Sequence, residues 1–277
     1  MKSGQLARSP AAASSAQPAS AKAPVIVLTY AYAGDELLRG LLAADPSLAC
    51  TSGTGLLPLC QQAANTWHRA VDRSSAALSG LASSAIRTLS ATLLTAVLAQ
   101  TGKKRWCEFA FSAPDSAETF LRLYPDARLI CLYRACPEVI KAILRANPWD
   151  LAGTPVMPFT AAHPASPAAA AAAYWTERTD ALLAFEQRHP RACLRVRHED
   201  LADDPAAALR QISTHVGLGP LTPTLSLSMP RLPAPIDCTT SAGSGPLPGP
   251  IPAGLLPPPL HGEVNSLLTR LDYPLMP

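Results

Sequence analysis

Short apolar runs, each followed by a helical pattern, constrain the fold of this chain more than any other feature. Val25-Ile26-Val27-Leu28 is four consecutive apolar residues. That is too short for a helix and apolar on both faces, so it predicts a strand buried on both sides in a parallel sheet. A loop holding Gly34 follows. Leu37, Leu38, Leu41 and Leu42 then share one face of a helix ending near Asp45-Pro46. Arg128 to Tyr133 predicts a second buried strand. Its helix has Pro137 near the start, carries Val139, Ile140, Ile143 and Leu144, and ends at Asn147-Pro148. Cys193-Leu194-Arg195-Val196 predicts a third strand, and its helix starts at Asp204-Pro205 and carries Leu209, Ile212 and Val216. Strands alternating with helices mean βαβ units. The expected class is α/β, three-layered, with a central mainly parallel sheet flanked by helices.

The remaining segments fill in this plan. Residues 56–100 read as two helices with a break near Ser79-Gly80, Trp106 to Phe111 as a strand, and Ala117 to Tyr124 as a helix stopped by Pro125. Residues 151–168 are a Pro- and Ala-rich loop before a long helix from Ala169 to Gln187. Thr51-Ser52-Gly53-Thr54-Gly55 reads as a flexible polar loop, open between anion binding through backbone amides and a plain turn. Residues 1–22 are expected to form a disordered tail, and 23–277 a single domain. Within it, residues 218–260 carry twelve prolines, with Arg231 and Asp237 as the charged residues. Such a segment cannot be a regular element and is expected to be a strap or mobile loop. A final amphipathic helix is expected from about Gly262 to Leu271.

Composition excludes several classes. A net charge of +3 gives no dense basic face for nucleic acid. No apolar run reaches the ~20 residues of a membrane span; the best candidate, Leu89 to Leu98, is interrupted by Ser and Thr. The N-terminus has no continuous apolar stretch of a secretory signal, so a cytoplasmic protein is expected. Seven cysteines, an odd number without a CxxC pair, read as buried free thiols rather than disulfides or a zinc site. The six histidines show no metal-ligand spacing, and no metal is expected. Neither G-x-S-x-G nor GxxxxGK[ST] occurs. The expected partner is a small-molecule substrate; a homodimer or a partner enzyme is left open.

Three stretches, in this order, carry a resemblance. The first is the strand, loop and helix from Val25 to Leu42 followed by Asp45-Pro46. The second is Tyr124-Pro125-Asp126-Ala127-Arg128 running through the strand to Arg134 and on to Glu138-Val139-Ile140. The third is Arg195-Val196-Arg197-His198-Glu199-Asp200-Leu201 with Asp204-Pro205 behind it. Together with the closing Leu267-Leu268-Thr269-Arg270-Leu271-Asp272-Tyr273, they resemble the sulfotransferase family. The resemblance implies a P-loop NTPase-like fold. It also implies a 3′-phosphoadenosine 5′-phosphosulfate donor, whose sulfuryl group passes to a hydroxyl or amine. Backbone amides at a helix N-terminus and basic side chains would face that donor.

The same alignment shows departures. Where the family's loop has Pro, Arg or Lys, Ser, Gly, Thr, Thr, this chain has Ala31, Tyr32, Ala33, Gly34, Asp35, Glu36. A cation has become a phenol, and two hydroxyls have become carboxylates. Each carboxylate at ~4 Å from an anion costs about 1 kcal/mol in bulk water and about 4 kcal/mol at an effective dielectric near 20. The helix dipole offsets about 0.3–1 kcal/mol of that. Repulsion wins unless the carboxylates point away or are protonated. Phe109 stands where the resemblance implies a phosphate-facing Lys, Ala142 where it implies the serine partner of Arg134, and only Arg231 could replace a basic clamp.

The leading expectation is therefore a sulfotransferase-fold tailoring enzyme that has left standard donor use for acid/base chemistry (cyclisation, elimination or hydrolysis). A working sulfotransferase and a non-catalytic binding or scaffold partner are the alternatives, and the donor belongs only to the first of these. Asp35, Glu36 and His68 are the expected catalytic residues, although Asp35 and Glu36 fit equally as simple helix N-terminal acids. Tyr32, Gly34, Glu108, Arg134 and Arg231 are expected to bind substrate or an anion. Arg134 and Glu108 are each open between the site and an ion pair. His198 and the Glu199-Asp200 pair read as structural.

Overall fold

The computed structural model describes residues 24–70, 76–111, 114–221 and 254–277. The expected tail, most of the strap, Arg231 and Cys238 lie outside the described residues. Strands β1 (Val25–Leu28), β2 (Leu48–Ser52), β3 (Arg105–Ala110), β4 (Arg128–Tyr133) and β5 (Cys193–Arg197) form one parallel sheet in the order β2-β3-β1-β4-β5. Val25 to Leu28 pair with Cys107 to Ala110 on one side and with Arg128 to Cys131 on the other. β1 is thus central, as its uniform apolarity requires.

The pleat sends alternate residues to two cores. Val25, Val27, Cys107, Phe109, Ile130 and Leu132 pack on one face. There they meet Leu38, Leu41 and Leu42 of α1 (Asp35–Ala43), Leu201 of α8 (His198–Asp203), and Leu209, Ile212 and Val216 of α9 (Pro205–Val216). Ile26, Leu28, Trp106, Ala110, Leu129, Cys131 and Tyr133 pack on the other face. Their partners are α2 (Leu56–Ala70), α3 (Ala76–Thr101), α4 (Pro114–Leu123), α5 (Cys136–Ala146), α7 (Pro167–Arg188) and α10 (Pro258–Arg270). The helix after β1 therefore goes to one face, while those after its neighbours β3 and β4 go to the other. In open α/β sheets that arrangement opens a crevice beyond the strands' carboxyl ends, here over β1.

Several expected boundaries are corrected. Thr51 and Ser52 close strand β2 instead of opening a loop; Leu-Ala-Cys-Thr-Ser has no apolar run to announce a strand. Ser79-Gly80 lies inside α3, whose described residues begin at Ala76. Gly80 sits in open space, where a helical glycine costs only about 1 kcal/mol. The loop at 151–168 holds a single turn, α6 (Met157–Thr160), and α8 was not foreseen. The last helix starts at Pro258, because prolines in a first turn have no amide to lose. Leu78–Thr101 of α3 is long and apolar enough to cross a membrane by length and composition; its Ile86, Leu94 and Val97 pack into the core, while Leu81 and Leu89 are exposed. The six described cysteines are buried and unpaired, as expected.

Candidate active site

The crevice over β1 is built by the turn that joins it to α1. Thr29 N–H donates to the Ala110 carbonyl (3.2 Å), extending the sheet by one bond, and Ala33 N–H turns back to the Tyr30 carbonyl (3.1 Å). Tyr32 (φ 71°) and Gly34 (φ 85°) both take left-handed backbone. For a tyrosine that conformation costs about 1–2 kcal/mol. Two bonds hold it: Asn147 Nδ2 donates to the Tyr32 hydroxyl (3.1 Å), and Arg134 Nη1 donates to the Tyr32 carbonyl (3.1 Å). The phenol is thereby drawn toward the end of α5. Gly34 is the N-cap of α1 and gives it no side-chain cap.

The two carboxylates of α1 diverge. Glu36 is exposed and faces Arg39 at 3.9 Å. Its expected pairing with Asp35 as acid and base does not form, because consecutive helical residues point about 100° apart. Asp35 turns inward and keeps 6 % of its surface exposed; its Oδ2 is enclosed without a hydrogen-bond partner. Burial pushes the Asp35 carboxyl up to about 6, Arg39 opposing and Glu36 adding to the shift.

Arg134 follows β4 at its carboxyl end. Besides donating to Tyr32, its backbone is gripped on both sides: Trp175 Nε1 donates to its carbonyl (2.8 Å), and its amide lies 3.3 Å from the Tyr30 hydroxyl. Its Nε is enclosed without a partner. Of the two readings left open for Arg134, the ion pair with Glu138 or Glu108 is absent among the described residues; Glu138 pairs with Lys141 at 2.8 Å, and Glu108 is hydrogen-bonded by threonines.

His198 is the residue that sequence reasoning placed outside the site. It follows β5, and its ring lies against Gly34: a Cβ added there would sit 2.1 Å from His198 Cδ2 and 2.6 Å from Nε2. Glycine at 34 is thus required by both the backbone and the ring. Burial, then the charge of Arg134, pull the imidazole down to about 4, with Glu138 opposing. The only available signal was the departure from tyrosine in the third motif, which gives no direction to the side chain. Glu199 does hold structure: it accepts from the Ala135 amide at the start of α5 (3.0 Å) and from the Tyr273 hydroxyl (2.7 Å).

Glu108 is buried on β3 and belongs to a structural cluster. Thr51 Oγ1 (2.6 Å), Thr54 N (2.9 Å) and Thr54 Oγ1 (2.8 Å) all donate to it, so it fastens the turn between β2 and α2. Burial raises its carboxyl pKa despite these bonds. Phe109 points into the α1 core and is fully buried, so it offers no side chain to the crevice. His68 is exposed in the last turn of α2. Twelve residues of helix, about 18 Å, separate it from the crevice end of α2 at Leu56, and its expected catalytic part falls away.

An anionic 5′-phosphosulfate on the first amides of α1 would lie beside Asp35. Tyr32 supplies a carbonyl already engaged by Arg134, and no side-chain cation comes from residues 29–34. With Asp35 ionised, these residues do not fit such a group; enclosing an unpaired carboxylate next to an anion has no compensating bond.

The model of the sulfotransferase family matches residues 24–223. Among solved structures, the chain is similar to the sulfotransferase domain from the curacin biosynthetic pathway. That match has 16 % identity, covers 92 % of this chain and 99 % of the other, and has a TM-score of 0.59. The sulfotransferase domain from the Synechococcus PCC 7002 olefin synthase matches at 18 % identity over 94 % and 98 % of the two chains, TM-score 0.50. At these identities the likeness is one of fold. No curated protein sequence matches the chain. The parallel sheet, the glycine turn into α1 and the matched span agree: the chain belongs to the sulfotransferase family.

Proposed function

We propose that this protein is a small-molecule tailoring enzyme in which the family's donor turn has been given over to proton-transfer chemistry. The observation that carries this reading is the enclosed, partnerless Oδ2 of Asp35 at the head of α1. A buried carboxylate oxygen without a donor costs about 1–3 kcal/mol or more, and a substrate hydrogen-bond donor relieves that cost. A carboxyl pushed up to about 6 gives and takes protons near neutral pH. Cyclisation, elimination and hydrolysis all use such a group. The reading narrows the sequence expectation to one carboxyl, since Glu36 faces solvent. The fold's likeness to domains from the curacin pathway and an olefin synthase supports a place in natural-product biosynthesis.

One observation favours sulfuryl transfer as a second reading: the first turn of α1 has no side-chain cap, and protonation of Asp35 would leave it neutral toward an anion. Isothermal titration with 3′-phosphoadenosine 5′-phosphate at pH 5 and pH 8 separates the two. The proposal expects no micromolar binding at pH 8. Micromolar binding there overturns it, and binding that tightens below pH 6 in wild type but is pH-independent in Asp35→Asn establishes the second reading.

A further inference from the structure

The imidazole of His198 has no structural task that explains its chemistry. The ring is partly exposed and lies against Gly34 at the turn after β1, and among the described residues nothing hydrogen-bonds it. The ring sits where the ends of β1, β4 and β5 converge: its Nε2 edge rests on Gly34, Asp35 is the next residue along, and Arg134 is the charge that acts on it most. Such an imidazole stays neutral at physiological pH, so it donates or accepts a hydrogen bond without carrying charge.

We infer that His198 is a substrate-facing group that donates a hydrogen bond to a carbonyl oxygen lying over Gly34, so that the substrates of this crevice are carbonyl compounds with a removable proton on the adjacent carbon. The inference rests on the proton-transfer reading above for its chemistry. Asp35, ionised, takes the proton from that carbon. The C–H electron pair becomes a C=C bond, and the carbonyl π pair moves onto oxygen. The N–H of neutral His198 and the guanidinium of Arg134 stabilise that oxygen where charge develops. Returning the proton from Asp35, or expelling a β-leaving group with its bonding pair, completes an isomerisation or an elimination. No oxidant or reductant is needed.

Oxalate, a planar dianion with the shape of an enediolate, is the probe. Its binding is followed at pH 5, where Asp35 is protonated and the His198 ring is still neutral, by the ring ¹⁵N resonances of the full chain, with His198 assigned by comparison with His198→Gln. Oxalate should move the His198 Nε2 resonance. It should bind about tenfold more weakly to His198→Phe, consistent with loss of one hydrogen bond to a charged group, while His198→Gln, which keeps a donor, should retain most of the affinity. Circular dichroism of both variants guards against a folding defect, and His198→Gln carries the test should His198→Phe fail to fold. An unmoved resonance at saturation, equal affinity in a folded His198→Phe, or no oxalate binding by the wild type overturns the assignment. Asp35→Asn separates the two claims. It should bind oxalate at least as well as wild type, so the His198 result stands or falls apart from proton transfer by Asp35.

Discussion

Asp35 carries a burden that its neighbours do not relieve. Its pKa is raised from 3.8 to about 6, so the folded protein holds this proton more tightly than the unfolded chain does. The resulting stabilisation is complete below the unfolded value of 3.8 and is lost as pH rises through about 6. Asp35→Asn has nothing to titrate. Relative to wild type it should gain about 2–3 kcal/mol between pH 4 and pH 7, with no further gain above that. Urea unfolding of both proteins across this range reads the difference; a gap that stays constant with pH contradicts the burial of the charge. Gly34 makes a second claim at this scale. Gly34→Ala incurs the left-handed cost of about 1–2 kcal/mol and also drives a methyl into the His198 ring, 2.1 Å from Cδ2. In a His198→Ala background only the backbone part should remain. A double-mutant cycle measures that coupling, and additive costs would mean that the ring does not press on Gly34. Of these residues the sequence exposed the substitutions themselves. Which way each carboxylate turns, and that a histidine 164 positions on closes over the glycine, are products of packing between strands that lie far apart in the chain.

At the scale of elements, legibility followed apolar periodicity. β1, β4, β5, α1, α5 and α9 were marked by runs or stripes that only one element type can bury. β2 was hidden because it ends in Thr51 and Ser52: Thr51 is bonded to Glu108, 57 residues on in sequence, and Ser52 accepts from Arg39. Glu108 draws donors from Thr51 and Thr54 while Trp106 Nε1 donates to Thr51 Oγ1, so a polar knot ties the end of β2 to the turn that leads into α2. Both Thr54 bonds go to one carboxylate oxygen and the Thr51 bond to the other. A glutamine there would set an N–H₂ against donors on one side. Glu108→Gln should therefore cost about 1–3 kcal/mol and loosen residues 52–55, read as faster amide exchange at Thr54. Unchanged exchange would show that the turn is held by its own backbone. The same geometry explains why Glu108 was open between site and ion pair in the sequence: a lone acid in a strand gives no hint whether its partners are cations or hydroxyls.

Across the whole molecule, the feature easiest to foresee was the one with the widest consequence. A parallel sheet covered on both faces buries most of its strand side chains. Four of the six described cysteines, Cys50, Cys107, Cys131 and Cys193, lie on four different strands of that sheet, and Cys60 and Cys136 lie on helices packed against it. Burial raises the thiol of Cys60 to about 11 and lifts those of Cys107 and Cys136, while the hydrogen bond with Cys193, and then burial, lift that of Cys131, so little reactive thiolate exists while the fold is closed. Reaction with Ellman's reagent must then wait for opening. Because β1 is bonded on both sides, to β3 and β4, and those in turn to β2 and β5, exposing an inner strand means separating the sheet as a unit. In native buffer these six cysteines should stay unreacted on the time scale in which an exposed thiol is modified. With rising urea the strand thiols should begin to react together, at a rate that tracks the unfolding transition seen by circular dichroism. Mass spectrometry of the labelled protein, resolved by peptide, distinguishes the outcomes. A strand thiol that reacts well below the transition would mean that its edge of the sheet opens independently. Cys50 and Cys193, on the edge strands β2 and β5, are where such opening would first be seen.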